Sequence, residues 1–172
     1  GTAEARSAET AHWIQNRNIL QGPLRSLTTE FGFGLGMQAP GQLTLALPAQ
    51  AVALRSMVCL DRVAGRGGCA RVRFRVASGG LPLWESPLFI GSEVVADTGR
   101  ITLPTPTPQQ LLIELDQAHE GRPTGADPLD IRDHINLADG CLELDPAGVQ
   151  REIEKRIPER FAAWKGWRLS PP

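Results

Sequence analysis

Arg71-Val72-Arg73-Phe74-Arg75-Val76 alternates three arginines with three apolar side chains. In an extended chain successive side chains point to opposite faces, so Val72, Phe74 and Val76 share one face and the arginines the other. The stretch therefore predicts a strand with one buried face. Working outward, Ser78-Gly79-Gly80 makes a turn and Leu81–Ile90 is the next strand region. On the other side, the glycine-rich Ala64-Gly65-Arg66-Gly67-Gly68 separates it from the apolar run Ala51–Leu60. Pro48-Ala49 in turn divides that run from the alternating Gln42–Leu47. Downstream, Val94-Val95, Ile101–Leu103, Leu111–Leu115 and Cys141–Leu144 read as short strands, with turns at Asp97–Gly99 and Pro104–Pro108. About eight short strands, with turns roughly every 8–12 residues, predict a mostly β chain folded as an antiparallel β-sandwich or jelly roll. A βαβ layout would need helical patterns between the strands, and these are missing.

The period changes after Asp145. That residue is placed to cap a helix whose first position is Pro146. Val149, Ile153 and Ile157 then recur every four residues, with Glu152 and Arg156 paired on the surface. Pro158 interrupts the pattern, and Phe161, Trp164 and Trp167 supply a bulky apolar end. The expectation is a helix packed against the sandwich, with a docking helix for a partner or neighbouring domain as the alternative. A weak helix is expected over Ala3–Trp13. The chain thus divides into an N-terminal extension (1–20), a β-sandwich domain (21–145) and a C-terminal helical extension (146–172).

Composition narrows the function classes. The 172 residues carry a formal net charge of −1, which excludes a bulk electrostatic footprint for nucleic acid or an anionic membrane. No apolar run approaches the roughly 18 residues of a membrane-spanning helix, so no membrane insertion is expected. No signal peptide is visible, and a chain starting at Gly1-Thr2 leaves export undecided on that ground. Cys59, Cys69 and Cys141 show no Cys-x-x-Cys spacing, so a zinc knuckle is unsupported. They are read as buried thiols, with a bridge among them as the alternative.

Catalytic chemistry finds little to work with. The histidines are His12, His119 and His134, and the sequence has no nucleophile elbow, phosphate loop or dinucleotide glycine signature in a strand–helix setting. Asp61, Glu85, Asp116 and Asp133 could supply a carboxylate pair, but nothing selects one. The chain is read as non-catalytic. Gly32-Phe33-Gly34-Leu35-Gly36 reads as close packing of backbones. The segment His119–Asp133 is a loop, where Asp127, Asp130 and Asp133 recur every three residues beside His134. Oxygen donors this dense suit calcium, with Asp127 and Asp130 as metal candidates, or hydrogen bonding to sugar hydroxyls. A solvated loop whose aspartates cap turns is the plainer alternative. Trp84 is a candidate stacking ring or a core residue, and Gln38 offers an amide in a loop. Arg62 and Arg122 are further polar candidates.

Taken in order, several segments resemble the NPCBM family of carbohydrate-binding modules. These are Gly34-Leu35-Gly36-Met37-Gln38-Ala39, Val58-Cys59-Leu60-Asp61, the strand Val72–Val76, Leu83-Trp84-Glu85-Ser86, and Asp133-His134-Ile135-Asn136-Leu137-Ala138-Asp139. The resemblance runs from about Trp13 to Asp145. It implies a galactose-binding-like jelly roll with a structural calcium. It also implies a non-catalytic role in binding carbohydrate, galactose-type sugars included. Such modules belong to larger secreted proteins, so an extracellular, cell-surface or periplasmic location and neighbouring domains as partners follow. Carried over, the ligand-binding candidates are Gln38, Asp61, Asp133 and His134, with Arg62, Trp84 and Arg122 added from the residues alone. Two departures stand out: the family usually has His where Gln38 stands and Trp where Leu137 stands. They motivate the alternative of a structural or protein–protein interaction sandwich that has lost sugar binding.

Overall fold

The computed structural model describes residues 11–118 and 132–164, with side chains described as far as Ile157. Along the chain run β1 (Trp13–Gln15), β2 (Gly34–Gln38), β3 (Gly41–Ala46), β4 (Ala51–Leu60), β5 (Cys69–Val76) and β6 (Pro82–Glu85). They are followed by β7 (Phe89–Ile90), β8 (Val95–Asp97), β9 (Ile101–Thr102), β10 (Gln110–Asp116), β11 (His134–Leu144) and the helix α1 (Pro146–Trp164). One sheet has the order β1-β2-β11-β4-β8, with β9 also on β4; the other is β3-β10-β5-β6, with β7 on β5. All of these pairings are antiparallel. The mostly β sandwich expected from the alternation is what the chain forms.

The deciding stretch sits in β5 as its period requires. Val72, Phe74 and Val76 are buried between the sheets with Leu111, Ile113 and Leu115 of β10 and with Val58, Leu60 and Ile135 of the facing sheet. The arginines line the outer face and pair with carboxylates on neighbouring strands. Arg75 Nε reaches Glu114 Oε2 at 2.6 Å, Arg73 reaches Asp116 at 3.1 Å and Glu85 at 2.8 Å, and Arg71 lies 3.6 Å from Glu85. This face is covered by its own ion pairs.

Several expectations are corrected. Trp13 opens a strand, not the end of a helix over Ala3–Trp13, whose other residues through Thr10 lie outside the described residues. Gly34–Gln38 is strand β2 and Gln38 its last residue, so its amide is not in a loop. Hydrophobic alternation missed it because Gly34 and Gly36 occupy alternate positions and carry no side chain. Leu81–Ile90 is split into β6 and β7, and the last strand begins at His134 rather than Cys141. Asp139, at φ 49°, accompanies an irregularity between Ala138 and Cys141 that breaks the period within β11. Cys59, Cys69 and Cys141 are not joined by a disulfide, and Cys141 is exposed rather than buried.

α1 is capped as expected, with Ala147 N donating to Asp145 Oδ1 at 3.2 Å and Gly148 N to Oδ2 at 2.8 Å. It runs through Pro158 to Trp164 instead of ending there. Nor does it pack on the sandwich along its described length. Gly148 is buried and Val149 half-buried, but Ile153 is 48% and Ile157 44% exposed.

Candidate functional site

Register places several chain reversals at one end of the sandwich. Gln38 pairs with His134, Leu60 with Ile135, Gly41 with Leu115 and Arg71 with Asp116. The β2–β3 turn (39–40), the β4–β5 loop (61–68) and the start of β11 therefore meet there. The β7–β8 turn joins them through Gly91 N donating to Gly68 O at 2.9 Å and Ser92 N to Gly65 O at 3.0 Å.

The segment 16–33 lies over the outer face of the first sheet and ends against this same region. Leu24 and Phe31 pack on Cys59 and Ala138, with Met57 and Val95 beside them. Close approach is allowed by glycine: a Cβ on Gly36 would sit 2.3 Å from Arg17 O, and one on Gly34 2.3 Å from Leu137 O. The reading of this glycine run as backbone packing thus holds.

Asp61 is the hub that binds the segment to the end loops. Fully buried, it accepts from Asn18 Nδ2 (3.1 Å) and Val63 N (3.0 Å) on Oδ1. Its Oδ2 accepts from Asn136 Nδ2 (2.6 Å) and Arg25 N (3.4 Å). The Val63 bond caps the 3₁₀ turn Arg62–Ala64, and Asp61 N donates to His134 O at 2.8 Å. These bonds replace the water that a buried carboxylate loses. Next to it, burial first and the Asp61 charge second push the Cys59 thiol up to about 12, while its hydrogen bond with Asn136 opposes.

Asp133 is equally buried. Its Oδ1 accepts from Cys69 N at 2.7 Å and its carbonyl from Ala39 N at 2.9 Å, tying the starts of β5 and β11 to the β2–β3 turn. His134 is buried, and Gln38 beside it half-buried, its N–H directed at His12 O (3.3 Å). Arg62 is exposed and its N–H donates to Arg25 O at 2.7 Å.

Gln38, Asp61, Arg62, Asp133 and His134 are thus brought together from three distant parts of the sequence. Trp84 is not among them: it lies on β6 opposite Phe74, ring centroids 5.2 Å apart, packed against the core. Arg122, Asp127 and Asp130 lie outside the described residues. Among the described residues no group of three or more His, Cys, Asp or Glu could hold a metal ion. Sequence reasoning missed Asn18, Arg25 and Asn136. Only Asn136 carried a signal, by its place in the Asp133–Asp139 segment. A separate cavity of about 380 Å³ opens at the other end between the sheets, lined mainly by apolar residues such as Phe33, Leu45, Leu54 and Leu111.

The model of the NPCBM/NEW2 domain family matches residues 2–139. No curated protein matches the chain. Among solved structures, the CBM51 of a Clostridium perfringens GH95 protein, in complex with methyl-galactose, is 14% identical with a TM-score of 0.62. That match covers 82% of this chain and 95% of the other. The CBM51-2 and INT domains of Clostridium perfringens ZmpB, in complex with GlcNAc, match at 14% identity and a TM-score of 0.64, over 90% of this chain and 33% of that one. In a ZmpB structure that also holds a catalytic domain and two CBM51 domains, this chain covers only 15% of the other's length. At these identities the likeness is one of fold.

Proposed function

Because the chain belongs to the NPCBM/NEW2 domain family, we propose that it is a non-catalytic carbohydrate-binding module working at the loop-bearing end of its sandwich. One observation carries the reading. Gln38, Arg62, Asp133 and His134 converge there on a scaffold held rigid by the buried Asp61 and Asp133 carboxylates. In this arrangement the two aspartates hold the loops, Gln38 and Arg62 offer hydrogen-bonding groups to sugar hydroxyls, and the buried His134 positions Gln38 across the β2–β11 register. Galactose-type and GlcNAc-type sugars are the first to try, since fold neighbours were solved with methyl-galactose and GlcNAc. Shallow sites of this kind bind weakly and gain from multivalency, which suits one module of a longer secreted or surface protein. A structural calcium is part of the same proposal, with Asp127 and Asp130 as the carboxylates that would supply hard oxygen ligands to it.

The test is a glycan array probed with the purified chain, with calcium and again with chelator. Saturable binding, reduced at least about tenfold in a Gln38→Ala, His134→Ala variant that keeps its thermal transition, is expected. A calcium-dependent rise in the transition temperature is expected alongside it. A folded protein silent across neutral and acidic glycans would transfer the assignment to a structural or interaction sandwich. Gln38 and Leu137 favour that reading, since the family usually has His and Trp at these places and Leu137 is buried in the core.

A further inference from the structure

Arginines are not treated alike in this protein. On the strands, on the helix and in the β8–β9 connection each described arginine has a carboxylate partner: Arg55 with Asp97, Arg71 and Arg73 with Glu85, Arg75 with Glu114, Arg100 with Glu143, Arg151 with Asp145 and Arg156 with Glu152. Arg25, Arg62 and Arg66 form no ion pair among the described residues, and all three belong to the loop-bearing end. The Arg62 N–H to Arg25 O bond (2.7 Å) joins their loops, and Gly65 N to Arg62 O (3.1 Å) closes the turn leading to Arg66. Arg62 and Arg66 are exposed, while Arg25 is half-buried with its Nε shielded from solvent and in no hydrogen bond.

The neighbouring acids do not neutralise them. Asp61 and Asp133 are buried and occupied by Asn and backbone donors. Glu30, bridged to Arg25 through the backbone, and Glu93, beside Ser92, are exposed and make no ion pair with these guanidiniums. Four exposed aliphatic residues belong to the same end: Leu27, Val63 and Val94 on the joined loops and Ile90 at the end of β7. Unpaired guanidinium forks suit planar oxyanions, and aliphatic carbons suit the C–H face of a sugar ring.

We infer that the loop-bearing end selects anionic glycans, sugars carrying a carboxylate or sulfate, with Arg62 and Arg66, backed by Arg25, reading the anionic group. The inference rests on the carbohydrate-binding reading and names its ligand class.

The test compares one galactose-type oligosaccharide in neutral, carboxylated and sulfated forms, titrated into the full chain by calorimetry at low and high salt. The acidic forms are expected to bind about tenfold or more tighter than the neutral parent, the two arms showing which oxyanion is preferred. That ratio should fall toward one in an Arg62→Gln, Arg66→Gln variant and, independently of any variant, in high salt. Equal affinity for neutral and acidic forms overturns the anionic selectivity and leaves the module a carbohydrate binder. Absence of binding to all three by folded protein overturns both.

Discussion

Asp61 shows how much one residue carries in a module this small. Its carboxylate is the acceptor for Asn18 on the covering segment, Asn136 on β11, Val63 in its own turn and the backbone of Arg25. Removing it strands these donors where water does not reach, and the cost of unsatisfied buried groups exceeds the value of the bonds themselves. Asp61→Ala is therefore expected to lower stability by about 2–4 kcal/mol, read from urea unfolding. A loss under about 0.5 kcal/mol would mean the segment is held by Leu24 and Phe31 alone. By contrast Arg75 and Glu114 are part-exposed, and such pairs contribute about 1 kcal/mol or less. Hence the chemically conspicuous arginine ladder matters less to stability than a buried aspartate whose segment pointed to ligand binding rather than to structure.

At the scale of elements, the contrast is between β2 and α1. β2 has a weak sequence pattern and a central position, between β1 and β11; α1 has a clear periodic pattern and no bed to lie on. Its first turn is anchored by Asp145 and the buried Gly148, and the Ile153–Ile157 row beyond faces outward. Helical period requires an amphipathic face and says nothing of what covers it. Truncation after Gln150 is accordingly expected to shift the melting temperature by no more than about 2 °C, followed by calorimetry. A drop of about 10 °C would show that the helix packs on the sandwich in solution.

Over the whole molecule, exposed ion pairs add a modest, salt-sensitive contribution to the acid side of stability. Asp97 is held down to about 2, from 3.8, first by its hydrogen bond with Arg55 and then by the Gly99 N–H. Glu85 and Glu143 are lowered chiefly by hydrogen bonds to Arg73 and Arg100. A carboxylate whose folded value is depressed stabilises the fold above its unfolded value and loses that contribution as the pH falls through the folded one. For Asp97 the window is 3.8 down to about 2. Urea midpoints are expected to hold between about pH 7 and 5 and to fall below about 4, the drop flattening in high salt. Midpoints that rise on acidification would overturn this. What the sequence by itself determined is what short-range periodicity encodes: β5 with its two faces, the sandwich class, and the capped helix after Asp145. The segments resembling a family also lay in linear order, so family membership was legible before any coordinate. Tertiary structure alone decided that Gly34–Gln38 is a central strand, that Trp84 belongs to the core, and that Asn18, Arg25, Asp61 and Asn136 form one cluster. The physical reason is that glycine spacing records only the closeness of another backbone, and hydrogen bonds between residues far apart in the chain leave no period behind.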